Sequence, residues 1–149
     1  KNDCGDEAPL FLCVLNGAFV FAADLFRACD IAGSEMAFIR YKSYEGMSTT
    51  GTVRQVLGLE EDITGRTVVV IEDIVDTGIT AKALIADLKA KNPKTVKFAT
   101  LLFKPESLRT DAKPDYVGFE IPAKFIVGYG LDYDQLGRNL KDIYVIVDE

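Results

Sequence analysis

The sequence predicts an α/β fold, a mainly parallel and doubly wound sheet, and three observations carry that expectation. Short apolar runs that read as strands covered on both faces, LFLCVLN from Leu10 and TVVVIED from Thr67, each lead into a segment of helical periodicity. Strands and helices alternate along the chain without repeats or linkers. The length of 149 residues, 48% of them apolar, suits one globular domain over 1–149.

After the first apolar run, GAFVFAADLFRAC from Gly17 spaces Phe, Val, Leu and Phe as on one face of a helix. MAFIRYKSY from Met36 reads as a strand, EGMSTTG from Glu45 as a loop of small polar residues with no apolar anchor, and TVRQVLG from Thr52 as a short strand. Thr64 and Gly65 mark a turn before TVVVIED, the most β-branched run of the chain. IVDTGIT then leads into the helical stretch AKALIADLKAK from Ala81, which Asn92 and Pro93 end because a proline drives its predecessor out of the α region. TVKFATLLF from Thr95 is the next strand, broken at Lys104 and Pro105. Short strands follow around 116–119 and 125–127, then the polar segment LDYDQLGRNL and a closing strand IYVIV from Ile143. In such a sheet ligands sit beyond the carboxyl ends of strands, so the loops after Asn16, Asp73 and Phe103 are where chemistry is expected.

Composition narrows the chemistry. Seventeen basic against 23 acidic residues give a net charge of −6, which disfavours nucleic acid as a partner, since phosphates demand clustered Lys and Arg. No run approaches the roughly 18 apolar residues of a membrane span, and KNDCGDEAP has neither the basic flank nor the apolar core of a signal peptide. Cys4, Cys13 and Cys29 are too few and too irregularly spaced for a disulfide framework or a zinc site, so a reducing compartment, the cytoplasm, is expected. The absence of histidine removes Ser-His-Asp and Cys-His catalysis and leaves carboxylates, Lys, Tyr and bound metal ions as acids, bases and electrophiles. A small-molecule enzyme is the leading class.

VVVIEDIVDTGIT, from Val68 to Thr80, is the most informative segment. Its strand presents the adjacent carboxylates Glu72 and Asp73 at the sheet edge, where they can accept hydrogen bonds from vicinal sugar hydroxyls or hold a divalent cation. Gly78 lets the backbone close around an anion, and amides at a helix start, helped by the hydroxyls of Thr77 and Thr80, form a phosphate cradle. The plain structural alternative is a strand–turn–helix corner capped by Thr77 or Asp76.

This segment resembles the signature by which type I phosphoribosyltransferases bind phosphoribosyl pyrophosphate (PRPP). LNGAFVFAADL at Leu15, KSY at Lys42, LLFKP at Leu101 and VGFEIPAKFIVGYGLDY at Val117 are similar to the hypoxanthine-guanine branch of that family, and the likeness runs from Leu10 to the end. It departs at the amino terminus, where the family has a further helix and strand; here nine residues precede the first strand, so the amino-terminal segment is expected to be short or missing, and the small hood over the base to come from the carboxyl-terminal part.

The resemblance implies transfer of 5-phosphoribosyl from PRPP to N9 of hypoxanthine or guanine, releasing pyrophosphate and giving IMP or GMP in purine salvage. Asp76 would be the general base or acid at purine N7. Residues Asp76, Thr77, Gly78, Ile79 and Thr80 would hold the 5′-phosphate, and Glu72 and Asp73 would bind the ribose hydroxyls directly or through Mg²⁺. Leu15, Asn16 and Gly17, with a cis peptide implied at Leu15–Asn16, would meet pyrophosphate together with Arg138. Lys104 would donate to purine O6, Phe125 would stack on the base, Ile126 would offer backbone groups to its edge, and Asp132 would belong to the same purine-binding set and ligate a second Mg²⁺. Without the resemblance, Lys104 and Arg138 read as solvated surface charges and Phe125 and Ile126 as core. Lys42, Ser43 and Tyr44 would introduce a mobile lid that excludes water from an oxocarbenium-like transition state. A homodimer or homotetramer is expected. The rival readings are a phosphoribosyltransferase for another base, such as xanthine, and a non-enzymatic PRPP-binding regulator on the same fold.

Overall fold

In the computed structural model, which describes residues 2–4, 7–44 and 52–147, the first apolar run becomes strand β1, Leu10–Leu15. Its side chains alternate between two packed faces, as a pleated strand requires. Leu10, Leu12 and Val14 join one core cluster, and Phe11 and Cys13 join another. Every residue from Leu10 to Val14 is therefore buried, which explains why this strand shows no polar alternation.

The remaining elements are helix α1 (Phe19–Cys29), β2 (Glu35–Tyr44), β3 (Thr52–Leu57), β4 (Thr67–Val75), helix α2 (Ile79–Lys89), β5 (Thr95–Phe103), β6 (Tyr116–Glu120), β7 (Ile126–Val127) and β8 (Tyr144–Val145). Short 3₁₀ turns lie at Asn2–Cys4 and Pro105–Ser107. Six strands form one sheet in the order β3-β2-β1-β4-β5-β6, and β7 and β8 pair separately. All neighbours in the large sheet are parallel except β2 with β3, so the expected mainly parallel α/β architecture is present. α1 covers one face through Ala22, packed near Phe11, Cys13 and Ile71. α2 covers the other with Ala81, Leu84 and Leu88 against Val68, Val70 and Phe98.

Chain order reverses between β1 and β4, the place where a crevice opens beyond the carboxyl ends of an α/β sheet. The β1–β4 ladder ends at Cys13 and Ile71, leaving Glu72 and Asp73 just past the pairing.

Several boundaries differ from those expected. β4 continues through Ile74 and Val75, paired with Leu102 and Phe103, so Glu72 and Asp73 lie within a central strand and not at the edge of the sheet. α1 starts at Phe19 because residues 16–18 form a turn closed by the Phe19 amide donating to the Asn16 carbonyl at 3.3 Å. α2 starts at Ile79, earlier than the periodicity of its Ala and Leu residues suggests, and Gly78 precedes it at φ 82°, a left-handed conformation that costs glycine little. Gly78, not Thr77 or Asp76, is thus the residue at the cap position. The closing strand is only Tyr144–Val145.

Candidate active site

Glu72 is buried and Asp73 half-buried, neighbours near the end of β4. Burial, followed by the adjacent Asp73 charge, pushes the Glu72 carboxyl well above the usual range. Burial raises Asp73 too, opposed by backbone amides and by the positive charge of Arg138.

Gly17 meets Asp73 directly. A Cβ built on Gly17 would stand 2.0 Å from Asp73 Oδ2 and 2.8 Å from its Cγ, so the turn after β1 can pass the carboxylate only because residue 17 has no side chain. The Leu15–Asn16 peptide of this turn is cis. Against its other side lies Gly130, whose hypothetical Cβ would be 2.7 Å from the Gly17 carbonyl oxygen. Arg138 donates from Nη1 to the Gly130 carbonyl at 2.9 Å and faces Asp132 Oδ1 at 3.4 Å; Asp132 Oδ2 accepts from the Gln135 amide at 2.9 Å. The structure therefore brings Gly17, Asp73, Asp132 and Arg138 into one neighbourhood, although they come from three distant stretches of chain. Arg138 is held on two sides and is not a solvated surface charge. Tyr129 anchors the same segment to α1 by donating its hydroxyl to Asp24.

The phosphate loop forms its own concavity of about 110 Å³, lined by Glu72, Asp76, Thr77, Gly78 and Thr80 among others. At its mouth Asp76 pairs with Lys104, Oδ2 to Nζ 3.2 Å. The ammonium of Lys104 is among the buried polar groups, with the residue only 6% exposed. It lies 5.9 Å from the centroid of Phe125, which is itself 77% exposed. Both plain readings fail here: Lys104 is not a solvated lysine, and Phe125 is not core. An exposed ring beside a buried cation offers a planar heterocycle a face to stack on and a donor at its edge. Ile126, half-buried, pairs with Val145 in the two-stranded sheet that holds Phe125 in place, and the Ile146 amide donates to the Phe125 carbonyl at 2.9 Å.

Other expected residues are less drawn together. Among the described residues no three His, Cys, Asp or Glu side chains form a group that could hold a metal ion, so Asp132, although in the same neighbourhood as Asp73, does not join Glu72 and Asp73 in one ligand set. The hard oxygens of Glu72 and Asp73 nevertheless fit magnesium, which takes one or two carboxylates and completes its shell with water and phosphate oxygens. Lys42, Ser43 and Tyr44 end β2, in register with Arg54, Val53 and Thr52. The loop expected to form the lid, 45–51, lies outside the described residues.

Sequence reasoning missed the segment behind the phosphate loop. The Arg109 amide donates to the Thr77 carbonyl at 2.8 Å, the Thr110 hydroxyl to the Gly78 carbonyl at 3.1 Å, and Leu108 packs on Gly78. These contacts act on backbone carbonyls, so no residue pattern announces them.

A strand, an acidic pair and a glycine-opened phosphate cradle at the switch point of a parallel sheet define a phosphoribosyl transferase domain, and that family's sequence model matches residues 1–134. The hypoxanthine-guanine phosphoribosyltransferase of Aquifex aeolicus is 42% identical over 144 residues, covering 96% of this chain and 80% of that protein. The Bacillus subtilis enzyme of the same name is 43% identical, covering 95% and 78%. The crystal structure of a Bacillus anthracis hypoxanthine-guanine phosphoribosyltransferase superposes with a TM-score of 0.91 at 42% identity, over 98% of this chain and 86% of that one. A hypoxanthine phosphoribosyltransferase from Staphylococcus aureus gives 0.92 at 34% identity, over 98% and 79%. The chain belongs to the hypoxanthine-guanine phosphoribosyltransferase family.

Proposed function

We propose that this protein transfers 5-phosphoribosyl from PRPP to N9 of hypoxanthine or guanine, giving IMP or GMP and pyrophosphate in purine salvage. The observation that carries the reading is the Asp76–Lys104 pair at 3.2 Å, set between a phosphate-sized concavity and an exposed aromatic ring. With the 5′-phosphate in the cradle of residues 76–80, the anomeric carbon is delivered toward a base lying on Phe125. Lys104 then donates to the purine O6, an acceptor in hypoxanthine and guanine but replaced by a donor in adenine. Asp76, exposed at the mouth, takes or returns the N7 proton, and its ion pair with Lys104 loosens as the ammonium turns to the base.

Arg138 and the turn of Leu15, Asn16 and Gly17 receive the leaving pyrophosphate. Glu72 and Asp73 accept from the ribose hydroxyls or hold magnesium, which would neutralise charge on the pyrophosphate when bound. Asp132 is available to a second magnesium once it leaves Arg138. Because the transition state resembles an oxocarbenium ion, closure by the segment that Lys42, Ser43 and Tyr44 introduce serves to exclude water.

The same reading includes a homodimer or homotetramer, supported by large apolar side chains left exposed, Phe119, Leu136 and Val147 among them. It also places the protein in the cytoplasm, supported by three free cysteines. No helix among the described residues is long and apolar enough to cross a membrane.

The deciding experiment incubates the protein with PRPP and Mg²⁺ against hypoxanthine, guanine, xanthine, adenine and uracil, scoring nucleotide and pyrophosphate together. Turnover with the first two confirms the reading; turnover with none, or with adenine alone, overturns it.

A further inference from the structure

We infer that Thr110 is a positioning residue for the phosphate cradle, holding its peptide planes so that their amides face the ligand. The inference rests on the functional reading above and concerns a residue behind the phosphate loop, one that does not line its concavity.

Three carbonyls of the 75–78 segment are engaged from behind by the chain that follows β5. The Lys104 amide donates to the Val75 carbonyl at 3.0 Å, the Arg109 amide to the Thr77 carbonyl at 2.8 Å, and the Thr110 hydroxyl to the Gly78 carbonyl at 3.1 Å. In a planar trans peptide the N–H of the next residue points opposite to the carbonyl. Fixing these three carbonyls therefore aims the amides of Asp76, Gly78 and Ile79 away from the 104–110 segment, and the Ile79 amide donates at 3.4 Å to the Thr77 hydroxyl, itself part of the cradle. No residue of that segment lines the concavity, which is bounded by the end of β4, the loop itself and the start of α2. The amides are thus turned to the side where an anion would sit, and donors aimed before the ligand arrives need no reorganisation on binding.

Of the three contacts, the one from Thr110 is made by a side chain, and it acts at the hinge of the loop. Gly78 has φ 82°, and its carbonyl also accepts from the Lys82 amide at 2.9 Å, which commits it to the first turn of α2. The Thr110 hydroxyl adds a second donor to that oxygen. The same threonine and Leu108 close the space beside Gly78, where a Cβ would come within 2.6 Å of Thr110 Oγ1 and 2.7 Å of Leu108 Cδ1. The Thr110 hydroxyl also accepts from the Ala112 amide at 3.2 Å, so its rotamer is fixed at both ends. The chain that begins at the base-facing Lys104 in this way ends by shaping the cradle for the phosphate.

Thr110→Val keeps the volume and removes the hydroxyl, while Thr110→Ser keeps the hydroxyl. Affinity for PRPP with Mg²⁺, measured by calorimetry without any base, should fall about five- to tenfold in Thr110→Val, the scale of one hydrogen bond, and stay near wild type in Thr110→Ser. In turnover assays the KM for PRPP should rise in the same proportion with the KM for hypoxanthine unchanged. Equal PRPP affinity in wild type and Thr110→Val overturns the inference, as does equal loss in Val and Ser variants. If Thr110→Val does not fold, Thr110→Ala carries the same comparison, and loss of folding in both shows a structural role alone and overturns it. Wild-type protein that binds PRPP but converts no 6-oxopurine would refute the functional reading while leaving the calorimetric comparison decisive for Thr110.

Discussion

Asp76 and Lys104 show how burial sets what a charged side chain can do. The ammonium of Lys104 is removed from water and compensated by one carboxylate and one aromatic face, so its charge is available to a ligand that displaces part of that compensation. Replacing Asp76 by Asn should lower turnover by on the order of 10², the usual range for a general acid or base, with PRPP affinity little changed; steady-state kinetics with both substrates check this. Lys104→Met should weaken 6-oxopurine binding by about 1.5 to 3 kcal/mol, the scale of a charge-assisted hydrogen bond, again sparing PRPP, as equilibrium titrations with guanine and with PRPP would establish. The acidic pair and the phosphate loop are legible because their residue types are adjacent in sequence. Lys104 is not legible by position alone, since nothing local says that the fold buries its side chain. Thr110 is invisible for a stronger reason, as its partner is a backbone oxygen 32 residues away.

At the scale of elements, the site is a meeting of turns. Gly17 after β1, Asp73 on β4 and Gly130 before Asp132 stack at distances that leave no room for a Cβ at either glycine. Gly17→Ala should therefore push Asp73 aside, at a cost of about 1 to 3 kcal/mol in stability for overpacking and with weakened PRPP binding. Thermal denaturation read beside PRPP titration tests both parts; a variant with unchanged melting and affinity would mean that the turn relaxes freely. Strand and helix order was readable from periodicity because β1, β4 and β5 are apolar on both faces and α2 carries its Ala and Leu on one. Boundaries were less so. β4 runs past its own carboxylates because Ile74 and Val75 pair with β5, a tertiary contact that outweighs the break suggested by two acidic residues.

For the whole molecule, long-range tyrosine–carboxylate contacts join parts that the sheet leaves separate. Tyr41 of β2 donates to Asp87 of α2 at 2.6 Å, Tyr129 to Asp24 of α1, and Tyr116 of β6 to Asp3. Burial first, then the bond to Asp87, pushes the Tyr41 phenol well above its ordinary value; burial and Asp24 raise Tyr129 to about 12, and the bond to Asp3, ahead of burial, raises Tyr116 to about 12. Each phenol donates to a carboxylate in the folded chain, so ionising it would set two negative groups against each other. An unfolded tyrosine titrates near 10, below all three folded values, so above that pH the unfolded chain has released protons that the native chain still holds. Stability then falls with rising pH, since its slope follows the protons bound in the unfolded state minus those in the native state. The contribution of these tyrosines is complete below about pH 10 and is lost as pH climbs through about 12. Urea unfolding at intervals between pH 8 and pH 12 should show the decline in the wild type and a shallower one in a Tyr41→Phe, Tyr116→Phe, Tyr129→Phe triple variant. Ion pairs such as Lys82 with Asp111 are shared by both proteins, so the difference between the two curves isolates the phenols. Parallel declines in the two proteins would show that these three contacts do not couple folding to pH.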